Sequence, residues 1–128
     1  MTGPNNSSIR LFLEREYQDA LLAEEAANVG DAWHHLERAH IVAQRSLAPH
    51  LYSHWRMLKL ALRTGDLGEG LGQVLRLALA PLGNLTGRLP IGNTGRSDVS
   101  AFAHMTIPPD LRDLLEASST KVPQEERL

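Results

Sequence analysis

Five of the six histidines in this chain fall between residues 34 and 54, and only His104 stands apart. Glu37 and His40 have an E-x-x-H spacing, and His50 and His54 are four residues apart. On a helix, each pair lies one turn apart on neighbouring parts of one face. Two imidazoles on one helix, a third across a helix interface and one carboxylate supply three nitrogens and an oxygen. That donor set suits zinc, nickel, copper(II) or ferrous iron, and neutral imidazole binds such ions near pH 7 without giving up a proton. Glu37, His40, His50 and His54 are the expected ligands of one divalent transition metal ion. The opposing expectation is that each is a partly buried histidine with a hydrogen-bonding neighbour, Glu37 or Gln44 serving His40. His34 and His35 fall off the inner face by helix angle, with His35 a supporting residue at most. His104 is either a lid over the site or a surface residue.

The elements that must carry these residues read as helices. A first helix spans about Ile9 to Asn28, capped by Ser7 or Ser8, with Leu13, Tyr17, Ala20, Ala23 and Ala27 inward. Gly30 suits a left-handed helix end and Asp31 the cap of a second helix, about Ala32 to Leu47, burying Trp33, Leu36, Ala39, Ala43 and Leu47. Pro49 fits the first turn of a third helix that reaches about Arg63. Its expected inner face is Leu51, Trp55, Leu58 and Leu62, with Tyr52, Arg56, Lys59 and Arg63 outward. Thr64-Gly65-Asp66 then opens a fourth helix, with Asp66 and Glu69 spaced as a capping box. That helix is expected to bury Leu67, Leu71, Val74, Leu75 and Ala78, to turn Glu69 toward the polar side, and to end near Pro81.

From residues 82 to 108 the helical period gives way to a Gly- and Pro-punctuated strap. Within it Ile91-Gly-Asn-Thr-Gly95 reads as tight turns, and Val99, Ala101, Ala103, Met105 and Ile107 alternate with polar neighbours as an extended stretch. A short last helix over about 109–117 turns Leu111, Leu114 and Leu115 inward. The expected organisation is a flexible 1–8, one helical domain over 9–117 that includes the strap, and a flexible 118–128. The fold class is all-α: two antiparallel helical hairpins, plus the strap and the last helix. A shift of 35 residues superposes Tyr17 on Tyr52 and Gly30-Asp31 on Gly65-Asp66, which suggests a tetratricopeptide-type hairpin used twice.

Composition excludes several classes. With 128 residues the chain forms one domain and needs no cross-link to fold. It has no cysteine, so disulfides, thiolate zinc sites, iron–sulfur clusters, blue copper and cysteine nucleophiles are out. A net charge of −2 provides no field for nucleic acid. The polar start lacks a secretory signal and no apolar run is long enough to span a bilayer, which points to a cytoplasmic address. A di-iron carboxylate bundle would need a second E-x-x-H; only Glu37 and His40 match one arm, with Glu24 or Glu69 as single ligands. The turn from Ile91 to Gly95 lacks the lysine of a phosphate loop, and no G-x-S-x-G elbow exists. Met57, one turn beyond His54, reads as core filler.

The run Ala32-Trp-His-His-Leu-Glu-Arg-Ala-His40, the segment His50 to Leu58, and Leu89-Pro-Ile-Gly-Asn-Thr-Gly95 together resemble the bacterial family known as domain of unknown function 3703. The resemblance covers about residues 9 to 116. It implies a bacterial protein whose family pattern includes His35, Glu37, His40, His50 and His54, and it implies no activity. His104 lies outside that pattern. Two functions are thus expected as alternatives. One is a small helical metal protein for sensing, storage or a reaction; the other is a helical-repeat adaptor for a peptide or a second copy, with structural histidines.

Overall fold

The computed structural model describes residues 4–126, with side chains described over 7–118. Five helices follow one another: α1 (Pro4–Glu25), α2 (Val29–Ala43), α3 (Leu47–Arg63), α4 (Leu67–Thr86) and α5 (Pro109–Glu126). Helices α1 and α2 form one hairpin and α3 and α4 another, α2 lies against α3, and α5 packs on α1 and α2. Among the described residues there is no strand. Residues 87–108 form the irregular strap. Of the ends expected to be flexible, residues 1–3 and 127–128 lie outside the described residues, while α1 and α5 reach into the rest.

Two apolar clusters hold the helices. Ala20, Ala32, Trp33, Leu36, Met57, Leu60 and Ala61 join α1, α2 and α3, and Met57 is fully buried there as filler. Ile41, Val42, Leu111 and Leu115 join α2 to α5, with Phe12 and Leu13 against them. Arg38 ties the same corner to Asp110 at 2.7 Å. Arg56, expected outward, is buried instead: its guanidinium lies 4.7 Å from the centre of the Tyr17 ring and donates to the Tyr17 carbonyl. A delocalised guanidinium is weakly hydrated and stacks on aromatic faces, which makes this position tolerable for a charge. Trp55 and Leu62, expected inside, are exposed.

The largest departure is α4, whose faces are inverted relative to the apolar pattern. Leu67, Leu71, Val74, Leu75, Leu82 and Leu85 face outward, with Leu71 73% and Leu85 86% exposed, whereas Glu69, Gln73 and Arg76 are buried. Among the helices α4 adjoins α3 alone, because the strap occupies the space beside its inner face. A segment without regular structure brings peptide groups that need partners, and the polar residues of α4 supply them. Glu69 accepts from the Ser97 N–H and hydroxyl, Gln73 donates to the Gly95 carbonyl, and Arg76 donates to the Val99 carbonyl. Leucine offers none of these bonds. Beyond Pro81 the helix continues to Thr86 and closes on a left-handed Gly87.

The helix junctions also correct the repeat. The first hairpin turns at Ala27, in the left-handed region with φ of 62°, and Asn28 caps α2 by accepting from the Asp31 N–H. Gly30 and Asp31 lie inside α2. The second hairpin turns at Gly65 and is capped by Asp66. From Val29 to Leu67 is 38 residues, so the hairpins recur at that offset and the identities found at 35 do not mark equivalent positions. The tetratricopeptide-type reading has no support in this geometry. In the strap the expected alternation holds: Val99, Ala101, Ala103, Met105 and Ile107 are each less exposed than Ser100, Phe102, His104 and Thr106. It forms no ladder, the Met105 N–H donating singly to the Ile91 carbonyl.

Ala27 gives a test of the junction. A left-handed L-residue is strained by about 1–2 kcal/mol, and glycine gives back about 0.4–1 kcal/mol through unfolded-state entropy. Ala27→Gly is expected to stabilise the protein by about 0.5–1 kcal/mol, read as a rise of a few degrees in the thermal midpoint. A fall in the midpoint contradicts the assigned turn.

Candidate metal centre

Residue spacing on two consecutive helices brings three imidazoles together. His40 sits in the last turn of α2, while His50 and His54 lie one turn apart on α3. All three are buried, at 5% exposure or less. Ring centroids are 4.6 Å apart for His40 and His54, 4.9 Å for His50 and His54, and 5.1 Å for His40 and His50. One ring nitrogen from each lies within 4.8 Å of those from the others, a group that could hold a metal ion.

The second nitrogen of each ring fixes the tautomer. His40 Nδ1 lies 2.8 Å from the Asn93 carbonyl oxygen, His50 Nδ1 2.7 Å from Asn84 Oδ1, and His54 Nδ1 2.7 Å from Gln73 Oε1. Each partner is an oxygen acceptor, so each Nδ1 donates and carries the proton. The two amides are themselves fixed. Gln73 Nε2 donates to Glu69 and to the Gly95 carbonyl, and Asn84 Nδ2 donates to the Gln44 carbonyl. Their oxygens therefore face the histidines. Three Nε2 lone pairs remain, and those of His50 and His54 stand 3.2 Å apart.

Burial keeps the rings neutral. It pushes His40 well below the usual histidine range, with the neighbouring imidazoles adding to it. It lowers His50 against the Asn84 hydrogen bond, and brings His54 down to about 4. Charging any ring would desolvate a cation.

Glu37, expected as the fourth ligand, is not brought into the group. Its carboxylate accepts from Arg96 Nη1 at 3.0 Å, and burial raises its pKa. The Arg96 guanidinium lies over the Trp33 ring, 3.8 Å from its centre, and reaches Glu69 at 3.3 Å, so the strap is clamped to α2 and α4 together. His35 pairs with Glu16 at 2.8 Å, away from the cluster, and His34 and His104 are exposed. Glu24 pairs with Arg63, and Glu69 is held by Ser97, Gln73 and Arg96. Although burial raises the Glu69 pKa, those hydrogen bonds and the Arg96 charge leave it below the usual carboxylate value.

Sequence reasoning missed the residues that orient the rings: Gln73, Asn84 and the turn around Asn93. A polar E-x-x-x-Q-x-x-R face at Glu69, Gln73 and Arg76 was the available signal, and the leucine stripe outweighed it. Asn93 is 1% exposed and stitches the strap, donating to the Ser100 and Ala103 carbonyls and accepting from the Gly95 N–H. Gly95 has φ of +85°, and a Cβ there would meet the His40 ring at 2.8 Å. Only glycine lets the strap lie on the imidazole.

On one side the cluster opens into a cavity of about 530 Å³, bordered by α4 and the strap. Among the described residues no carboxylate lines it. Three neutral nitrogen donors beside open space can bind a divalent ion and leave at least one coordination position for an exogenous ligand.

Two outcomes follow from this geometry. Gly95→Ala combines a backbone strain of about 1–3 kcal/mol with overpacking of similar size, so a loss of about 2–6 kcal/mol is expected in urea unfolding. An unchanged midpoint would place the strap elsewhere. The second concerns acid. Unfolded histidine takes its proton near pH 6.5, native His54 only near 4. Stability is therefore complete above about pH 6.5 and falls as the pH drops toward 4. Thermal midpoints of metal-free protein across that window should decline with decreasing pH, and less so in His54→Gln; a flat profile contradicts neutral burial.

Comparison with known proteins locates the chain in a family. No curated protein sequence and no solved structure matches it. Residues 7–115, which include all three histidines, the residues that orient them and the glycine turn, match the family model described as protein of unknown function, DUF3703, and the chain belongs to that family.

Proposed function

We propose that this protein binds one divalent transition metal ion, zinc fitting best, through the Nε2 atoms of His40, His50 and His54. The observation that carries the reading is the set of three Nδ1–H donors committed to carbonyl oxygens. It leaves the His50 and His54 Nε2 lone pairs 3.2 Å apart with no proton between neutral rings. A tetrahedral zinc with bonds of 2.0–2.1 Å spaces its nitrogens by about 3.4 Å, close to that separation. Oxygen partners on the remote nitrogen also raise ligand basicity and fix ring orientation. With three protein ligands and a cavity in front, the reading favours an accessible centre that binds a water or small ligand over a closed structural ion. Glu37 has no part in it.

Zinc added to chelator-stripped protein without a histidine tag is expected to bind one per chain and raise the thermal midpoint. The gain is about 2.7 kcal/mol at a hundredfold excess over Kd. His54→Ala should abolish it while His34→Ala and Glu37→Ala keep it. Identical melting curves with zinc, nickel, copper(II) and ferrous iron would sink the proposal.

A second reading rests on the outward face of α4 and is independent of the metal. Leu71, Leu75, Ala78, Leu82 and Leu85 follow the alternating 4-3 spacing of a coiled-coil seam. Leu62, Leu67 and Val74, each more than half exposed, extend this apolar face. Its occupant is a second copy of the chain, α4 against α4 about a two-fold axis. Light scattering should give a dimer that Leu71→Lys with Leu75→Lys converts to monomer. A wild-type monomer at the highest soluble concentration overturns this reading.

A further inference from the structure

Among the described residues Arg76 has no counterion. It is 8% exposed and its guanidinium donates to one backbone oxygen, that of Val99. No described carboxylate lies within ion-pair distance of it. The acids whose charge it feels are Glu69 and Asp98, and Glu69 is already spent on Ser97, Gln73 and Arg96. Burial of a cation without a partner is costly unless something anionic completes it.

The same side chain lines the cavity onto which the imidazoles face. Its positive charge is close enough to disfavour protonation of both His40 and His54. Leu79, Leu89, Pro90 and Ala101 give apolar wall, Arg88, exposed to solvent, is a second cation on the lining, and the volume of about 530 Å³ is that of a small-molecule site. The cavity therefore carries a buried guanidinium that no described carboxylate pairs with, an exposed second one at Arg88, and apolar wall besides.

We infer that the cavity takes a small carboxylate with an apolar body, its carboxylate paired with Arg76 and reaching the open position of the metal. The metal contact rests on the centre proposed above; the pairing with Arg76 does not. A guanidinium presents its donors in a planar fork that matches a carboxylate, and a divalent ion with a vacant position takes an anionic oxygen. The apolar walls select the rest of the molecule, since each buried methylene favours binding by about fourfold. An inorganic anion shares the charge and not the apolar body.

The experiment uses full-length protein loaded with cobalt(II) as a coloured substitute for zinc, with cobalt content measured first. Acetate, butyrate, hexanoate and neutral hexanamide are titrated by calorimetry and visible absorption, each also into metal-free protein. Hexanoate is expected to bind at least about tenfold more tightly than acetate, following the methylene increment. It should also change the cobalt spectrum, and hexanamide should do neither. Arg76→Gln should lose hexanoate and keep one cobalt per chain. Loaded protein indifferent to hexanoate, or hexanamide binding as well, overturns the inference. A chain that takes up no cobalt overturns the metal centre instead. Hexanoate binding to metal-free protein that Arg76→Gln loses and Arg88→Gln keeps then upholds Arg76 as the anion site, and absence of binding overturns that as well. Should Arg76→Gln fail to fold, Arg88→Gln decides: retained hexanoate binding supports Arg76, and its loss assigns the anion to Arg88 and overturns the inference.

Discussion

A strap with no ladder of its own must find a partner for every peptide group it buries, and this requirement organises the molecule. It explains why α4 turns Glu69, Gln73 and Arg76 inward and leaves its leucines outside. It also explains why the strap is pinned by side chains more than by apolar burial. Asn93 closes it on itself, Arg96 clamps it between Trp33, Glu37 and Glu69, and Gly95 lets it rest on His40. The residues that satisfy the strap are, in two cases, the residues that orient the imidazoles. Gln73 serves both Gly95 and His54, and the Asn93 carbonyl serves His40.

The electrostatics of the interior follow from that sharing. Neutral amides and a carbonyl face the rings, so their hydrogen bonds favour an imidazolium less than burial disfavours it, and Arg76 opposes one at His40 and His54. A carboxylate partner on Nδ1 would have pulled the histidine pKa upward. Here the acidic groups are held one layer out, with Glu69 behind Gln73 and Glu37 on Arg96. The centre is thus rich in lone pairs and poor in negative charge.

How much of this was legible in the sequence divides along physical lines. Helix number, the two hairpins and the inner face of α2 were readable because 3.6-residue periodicity and burial agree there: Trp33, Leu36, Ala39 and Ala43 are all inside. The meeting of His40, His50 and His54 followed from spacing and helix adjacency. Glu37 failed because i,i+3 spacing puts two side chains on neighbouring faces without making them converge, and Arg96, distant in sequence, took it. The faces of α3 and α4 failed because apolar periodicity assumes an apolar neighbour. Where the neighbour is irregular backbone, polar residues go inside and the leucine stripe reports the outer surface. Gly30 was misassigned because the turn fell on Ala27, an intrinsically poor residue for it.

A group of three imidazoles that could hold an ion, in a chain without cysteine, offers no thiolate to oxidation. Thiolate centres are lost when peroxide converts sulfur to sulfenic or higher oxides. Nothing among His40, His50 and His54 can climb that ladder, and the amides and carbonyl behind them are equally inert. Peroxide therefore finds no thiolate to remove from this pocket.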